Sequence, residues 1–552
     1  MEKSYSKFRP RINKNHAKRK KIIFKMIDIT THIKGTPSYP HWEKIKIKHH
    51  HGINVSLFSL KTKTTHGIGD FYSLIPLIDW CTNVGFDVIQ LLPLNELIDK
   101  TFSPYDNLSS CALEPIYINL NELPYTNDLL KNQLLEFKHL NEDKNVKYKE
   151  VKDKKISFLH EYFNLAFNFF QKSTSYLNFL HQNSWLKNYC IFKLLKEQNN
   201  FSSWETWDDK FKNITEETIN QLSESHKTKI DFFSFLQFLC FNQLKKIKDY
   251  ANKKNILLKG DIPILINKES VDVWENKKIF DLSHKAGCPP DENTPQGQNW
   301  NFPIFNWNEI EKTNYEWWKR RLTIASYCYD LYRLDHVIGF FRIWSIKIKD
   351  NDARKGHFLP KDPTKWPLQG ESHLLTLLKS TQMLPIAEDL GLVPFFIPKI
   401  LEKLGICGMK VMRLQKDKNG YIPYNLYNPL SITTISTHDK ALLGEWWLKY
   451  EKERHAFCKF KKWPLTNDPI TYNQRKEILK DSHHTPSLFH INLIQDYLSL
   501  YPEFSFEDPA KERINIPGSV NEKNWTFKIK PYLEDIIKHT QLTEDIKEII
   551  FG

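Results

Sequence analysis

Seven short apolar runs, each stopping abruptly at polar or turn residues, constrain this chain more than any other feature. They are Val55–Leu60, Asp87–Leu94, Ile256–Leu265, Tyr329–Asp335, Leu384–Asp389, Lys410–Leu414 and Thr433–Asp439. Such runs predict strands buried on both faces. Between most of them lie stretches with helical spacing, among them Ile75–Val84, Trp317–Cys328 and Ile397–Leu404. Strands alternating with helices predict a parallel sheet, and this many units predict a closed (β/α)8 TIM barrel. The rhythm breaks at about residues 125–250, where Phe158, Tyr162 and Phe163, then Trp185, Tyr189 and Phe192, keep helical spacing. That stretch predicts a large helical insertion after the second strand. Its early part, 140–155, reads as solvent-exposed and partly disordered because it is dense in Lys, Asp and Asn. Residues 440–552 predict a mostly helical segment that closes the barrel.

Polar residues fall where a barrel enzyme places its chemistry. Asp261, Asp335, Glu388 and Asp439 all lie at or near the C-terminal ends of strand-like runs, the catalytic face of such barrels. An unpartnered carboxylate is costly at a buried strand end, so its recurrence points to use. Breaking a glycosidic bond needs two carboxyl groups, one at the anomeric carbon and one to protonate the leaving oxygen. Arg333 precedes Asp335 by two residues, so on a strand both side chains share a face, and the guanidinium can hold the carboxylate ionised and oriented. A lone R-L-D or E-D-L-G is usually a surface ion pair. The signal here lies in Tyr332–His336, Ala387–Gly391 and Ser436–Asp439 occurring together, each at a strand end.

Bulk composition removes other function classes. The 552 residues suffice for a large barrel with insertions. The formal net charge is +14, but the excess is mostly lysine spread along the chain, so no nucleic-acid stripe is expected. The exception is Arg9 to Lys21, which makes residues 1–50 a basic N-terminal extension whose first 30 residues read as a solvated tail. Eight cysteines form no C-x-x-C pair, so neither a zinc knuckle nor a disulfide framework is expected, and the protein reads as cytoplasmic. No apolar run reaches the length of a membrane span, so no membrane contact is expected. His49-His50-His51 reads as an exposed loop rather than a metal site.

Further segments carry a resemblance. Gly67-Ile68-Gly69-Asp70, Gln90–Leu94, Ser103-Pro104-Tyr105, Gly260–Ile264, Pro289-Pro290-Asp291 with Gly297-Gln298-Asn299-Trp300, and Asn515–Gly518 with Asn524-Trp525 occur in this order. With the three carboxylate segments they make residues 50–530 similar to the 4-α-glucanotransferases, also called amylomaltases or disproportionating enzymes, of glycoside hydrolase family 77. The stretch Asn299–Trp344 especially resembles the maltose-using cytosolic branch known from plants. The lid loop, 287–303, is the most specific motif. It departs from many relatives at Glu292-Asn293-Thr294, as does Lys440 after Thr437-His438-Asp439.

The resemblance implies roles residue by residue. Asp335 would be the nucleophile, Glu388 the acid and then the base, and Asp439 the transition-state stabiliser. Arg333 would orient Asp335, and His438 and Asp261 would shape the subsite where the bond is cut. Tyr105 and Trp300 would bind sugar rings, and Asp291 and Gln298 would serve from the lid. The expected function is retaining transfer between α-1,4-glucans, with maltose, maltodextrins and glycogen as substrates and the two carboxyl groups about 5–5.5 Å apart. Glu388 would need a raised pKa, expected from its charged neighbours. No metal or organic cofactor is called for. An α-amylase-type hydrolase using the same carboxylates is the alternative.

Overall fold

The computed structural model describes residues 28–291, 294–519 and 521–552. Eight parallel strands form one sheet in the order 408–411, 431–434, 489–493, 50–55, 88–91, 257–262, 331–334, 384–387. Pairing of Ile386 with Cys407 joins the last strand to the first and closes the barrel. The strands at Val88–Leu91, Leu331–Leu334, Leu384–Ala387 and Ser431–Thr434 are buried throughout, as continuous apolar runs require.

Two barrel strands lie elsewhere than expected. The first is His50–Val55, and Val55–Leu60 instead leads into a 3-10 turn at Leu57–Ser59. The eighth, Phe489–Leu493, lies inside the segment read as mostly helical. A four-stranded antiparallel sheet was also not foreseen; it joins 298–305, 280–288, 343–347 and 357–359 in that order. The lid is therefore a hairpin, with its turn between Cys288 and Gln298.

The strand residues that line the barrel interior form a small core with the chain before the first strand. Ile29, Ile33, Trp42 and Ile45 pack with Leu331, Ile386, Met409, Ile432 and Phe489. Trp42 is fully buried and donates from Nε1 to the Gly405 carbonyl at 2.9 Å. The expected N-terminal extension thus supplies part of the barrel floor from residue 29 onward. The basic run Arg9–Lys21 lies outside the described residues.

Between the second and third strands run helices from Asp128 to Lys253. The stretch 140–155 is ordered, against expectation. Helix Tyr148–Phe170 begins within it and buries Tyr148, Val151, Lys155, Phe158 and Leu159. The intervening charges occupy its outer face, as an amphipathic helix needs. The Lys155 ammonium donates to the carbonyls of Ile116 (2.6 Å) and Ile118 (2.8 Å).

The three adjacent histidines are not an exposed loop. His50 is fully buried and bonds Asp87 Oδ2 at 2.9 Å through Nδ1. His51 lies 2.8 Å from His483 Nδ1 to Nδ1, and His49 lies 3.2 Å from His490. Stacked imidazoles thus line the start of the first and eighth strands. Burial above all, with the neighbouring histidines adding repulsion, drops His51 from 6.5 to about 4, against the pull of Asp87. His483 and His490 are lowered well below the usual range, again chiefly by burial.

These groups stay neutral in the folded protein while the unfolded chain takes up protons below 6.5. Stability is therefore lost as pH falls from about 6.5 toward 4, by up to roughly 3 kcal/mol for His51 alone. Urea midpoints at about pH 7.5 and pH 5 should differ, and His51→Gln should blunt the difference. An equal fall in the variant would assign the acid sensitivity to other groups.

Candidate active site

The third, fourth and fifth strands meet at their C-terminal ends around one guanidinium. Asp261 lies within the third strand, Asp335 directly follows the fourth, and Glu388 directly follows the fifth. Gly260 beside Asp261 must be glycine, because a Cβ there would lie 2.5 Å from the Tyr329 ring. Arg333 Nη1 bonds both oxygens of Asp261 at 2.9 and 3.0 Å. The same nitrogen lies 2.7 Å from Asp335 Oδ1, and Nη2 lies 3.8 Å from Glu388 Oε2. The two-residue spacing of Arg333 and Asp335 thus places both on one face.

Glu388 is held by the backbone. The His336 amide donates to Oε2 at 2.9 Å and the Leu390 amide to Oε1 at 3.1 Å. His336 adopts a left-handed conformation (φ 40°) at this turn. Burial pushes the Glu388 carboxyl up to about 8; Asp335 adds to the rise, while Arg333 and the His336 amide oppose it. Desolvation thus outweighs the charged neighbours from which the rise was expected. Asp261 is also raised, first by burial, with Arg333 opposing.

A second group faces this one from the loops after the second, seventh and eighth strands. Tyr105 donates its hydroxyl to Asp261 Oδ2 at 2.9 Å and lies 3.0 Å from His438 Nε2. The Tyr105 and His438 rings stack at 5.7 Å. His438 Nε2 lies 3.1 Å from Asp439 Oδ2, and Asn515 donates to Asp439 Oδ1 at 2.6 Å. Burial works to raise the Asp439 carboxyl, but His438, Asn515 and Arg333 together outweigh it and hold it well below the usual carboxylate range. Two carboxyl groups in one cleft are therefore driven in opposite directions, Glu388 toward its protonated form and Asp439 toward its ionised form. Opposed environments of this kind separate an acid from a charge stabiliser.

The lid meets this ion cluster through the ring of His336, whose amide holds Glu388. Trp300 donates from Nε1 to Gln298 Oε1 at 2.9 Å and meets the His336 ring edge-on at 4.9 Å. Asp291 Oδ1 accepts from the Thr294 amide (2.6 Å) and hydroxyl (2.8 Å), so it fastens the lid turn.

Two polar partners went unassigned in the sequence. Asn515 fixes Asp439, and Arg513 donates to the Asp439 carbonyl at 3.3 Å. Asn515 opened a motif that carried the resemblance, but nothing in its spacing tied it to a residue 76 positions earlier. Among the described residues no cluster of three or more His, Cys, Asp or Glu could hold a metal ion, and no helix is long and apolar enough to cross a membrane.

A closed parallel barrel whose top gathers Asp261, Asp335, Glu388 and Asp439 around Arg333 defines an enzyme of glycosidic-bond chemistry. Comparison with known proteins narrows the class. Residues 55–534 match glycoside hydrolase family 77, described as 4-alpha-glucanotransferase. A 4-alpha-glucanotransferase of Chlamydia muridarum is 39% identical over 92% of this chain and 97% of its own length. One of Chlamydia pneumoniae is 40% identical over 95% and 100%. One of Oryza sativa subsp. japonica is 26% identical over 90% and 69%. An amylomaltase from Streptococcus agalactiae, in complex with acarbose, shares the fold with a TM-score of 0.77 at 24% identity, covering 91% of this chain and 99% of that one. The chain belongs to the 4-α-glucanotransferases of glycoside hydrolase family 77, enzymes that transfer segments between α-1,4-glucans.

Proposed function

We propose that this transferase works by double displacement, with Asp335 as nucleophile and Glu388 as acid and then base. The observation that carries the assignment is the Arg333 guanidinium held between Asp335 and Glu388, with Glu388 pushed up to about 8 by burial. A carboxyl group protonated at neutral pH can donate its proton to the glycosidic oxygen. Asp335, ion-paired at 2.7 Å, is poised as a carboxylate to attack the anomeric carbon. The shorter sugar leaves with the Glu388 proton, and a β-glucosyl ester remains on Asp335. An acceptor 4-hydroxyl then gives its proton to Glu388 and displaces Asp335, so the α-linkage returns. Asp439 stays ionised through the cycle, where it can bond sugar hydroxyls and stabilise developing positive charge.

Tyr105 and Trp300 present flat faces for sugar rings. Trp300 reaches the site from the lid hairpin, which supports a cleft that favours a sugar acceptor over water. The donors are maltose and maltodextrins, and the acceptors include glycogen, in the cytoplasm. Incubation with maltotriose alone tests this assignment. Sized products should include chains longer than the substrate together with glucose. Maltose and glucose as the sole products would establish hydrolysis instead.

A further inference from the structure

After the eighth strand the chain returns to the catalytic rim at Arg513, whose guanidinium is divided among three partners. Nε donates to the Asn515 carbonyl at 3.0 Å. Nη2 donates to the Asp439 carbonyl at 3.3 Å, and Nη1 to Glu445 Oε2 at 3.2 Å. Glu445 lies in helix Leu443–Lys449, which starts just after the loop of Asp439, and is 6% exposed. Its other oxygen accepts from Lys449 Nζ at 3.0 Å.

The stretch held by Arg513 is the one that fixes the Asp439 carboxylate. The Asn515 side chain donates to Asp439 Oδ1 at 2.6 Å, and the Asn515 amide donates to the His438 carbonyl at 3.2 Å. The Trp525 amide donates to the Ile514 carbonyl at 2.7 Å. The Trp525 ring lies 5.8 Å from that of His438 and 5.7 Å from that of Tyr105. Residues 513–515 therefore set both an oxygen of Asp439 and the rings beside it. They belong to a loop, outside the barrel strands, so side-chain tethers must supply the precision that a strand end supplies to Asp335 and Glu388.

Packing alone is a poor account of the Arg513–Glu445 pair. Withdrawing two charges from water is costly, and apolar residues of like volume often stabilise a fold as well or better. A lysine would bring its charge to the region as a single point. The planar fork of arginine reaches three acceptors in fixed directions. Here one arm is anchored on a helix, and the other two grip the main chain of Asp439 and of Asn515.

We propose that Arg513 and Glu445 are positioning residues for transfer, acting through Asn515 to hold the Asp439 carboxylate in register with the reacting sugar. The proposal rests on the reading of Asp439 as the charge stabiliser.

Kinetics with maltotriose on the full chain, with thermal melting of each variant, test it. Arg513→Lys should lower kcat at least about tenfold and leave KM within about threefold, the pattern of an interaction realised in the transition state. In an Asn515→Ala background the same substitution should cost less than about threefold, because its route to the Asp439 carboxylate is gone. Glu445→Gln keeps an acceptor for the guanidinium without the charge. It should lower kcat by about three- to tenfold with KM again unchanged, and it carries the test if Arg513→Lys fails to fold. Wild-type kcat in a folded Arg513→Lys, or in Glu445→Gln standing in for it, would overturn the proposal. So would a loss confined to KM, or one that multiplies in full with that of Asn515→Ala. Asp439→Asn separates the two readings. Transfer near the wild-type rate in that variant would remove Asp439 as stabiliser, whereas a loss of at least about 10³-fold leaves the Arg513 result to decide the positioning role.

Discussion

Asp335→Asn is expected to lower transfer from maltotriose by at least about 10⁴-fold, the scale on which removing one member of a catalytic unit acts. The amide keeps the size of the carboxylate but cannot form the glucosyl ester. The fold should survive, because Arg333 retains the carboxylate of Asp261 at 2.9 and 3.0 Å. A second effect follows from the geometry. The Asp335 charge helps to raise Glu388, whereas Arg333 opposes the rise. Without that charge the Glu388 carboxyl should titrate lower than its wild-type value of about 8. Initial rates by product sizing, with thermal melting as a check on folding, measure the first effect. Carboxyl titration by NMR measures the second. A folded variant within about tenfold of wild type would remove Asp335 from the nucleophile role.

The parts of the fold legible in the sequence are those where apolar patterning and burial coincide. Leu331–Leu334 and Leu384–Ala387 are continuous apolar or amphipathic runs buried on both faces, and their ends, at Asp335 and Glu388, marked the catalytic rim. The first and eighth strands hid for a shared reason. His50, His51, His490 and Asn492 are polar, yet hydrogen bonds to Asp87, His483 and Ser482 and the stacking of His51 on His490 let them line a buried sheet. A hydrophobicity pattern has no sign for that pairing. The antiparallel sheet that carries the lid hid because its strands are half polar, as in Phe280–Cys288. At the site, Arg333 and Asp335 were legible because a two-residue spacing is local. Asn515 on Asp439 was not, because it depends on the chain returning after 76 residues. The cause of the Glu388 shift was also misread, since charged neighbours can be named from sequence and depth of burial cannot.

Glu388 yields the other large effect, and its sign can be worked through. The folded carboxyl is raised from 4.5 to about 8. Its proton is therefore present at neutral pH and lost above about 8, so kcat/KM should fall about tenfold per pH unit beyond that point. The same shift gives a stability term that is complete below 4.5 and lost as pH rises through about 8. Glu388→Gln removes both dependences. Its transfer from maltotriose should drop by about 10²–10⁴-fold, the usual contribution of a general acid. With a nitrophenyl α-glucoside the leaving phenolate needs no proton, so formation of the glucosyl ester should be largely spared. The loss should then move to the second step, where no base remains to activate the acceptor hydroxyl. A burst of nitrophenolate followed by slow turnover is the expected trace. Equal losses on maltotriose and on the nitrophenyl donor would mean that Glu388 serves the site through position rather than through its proton.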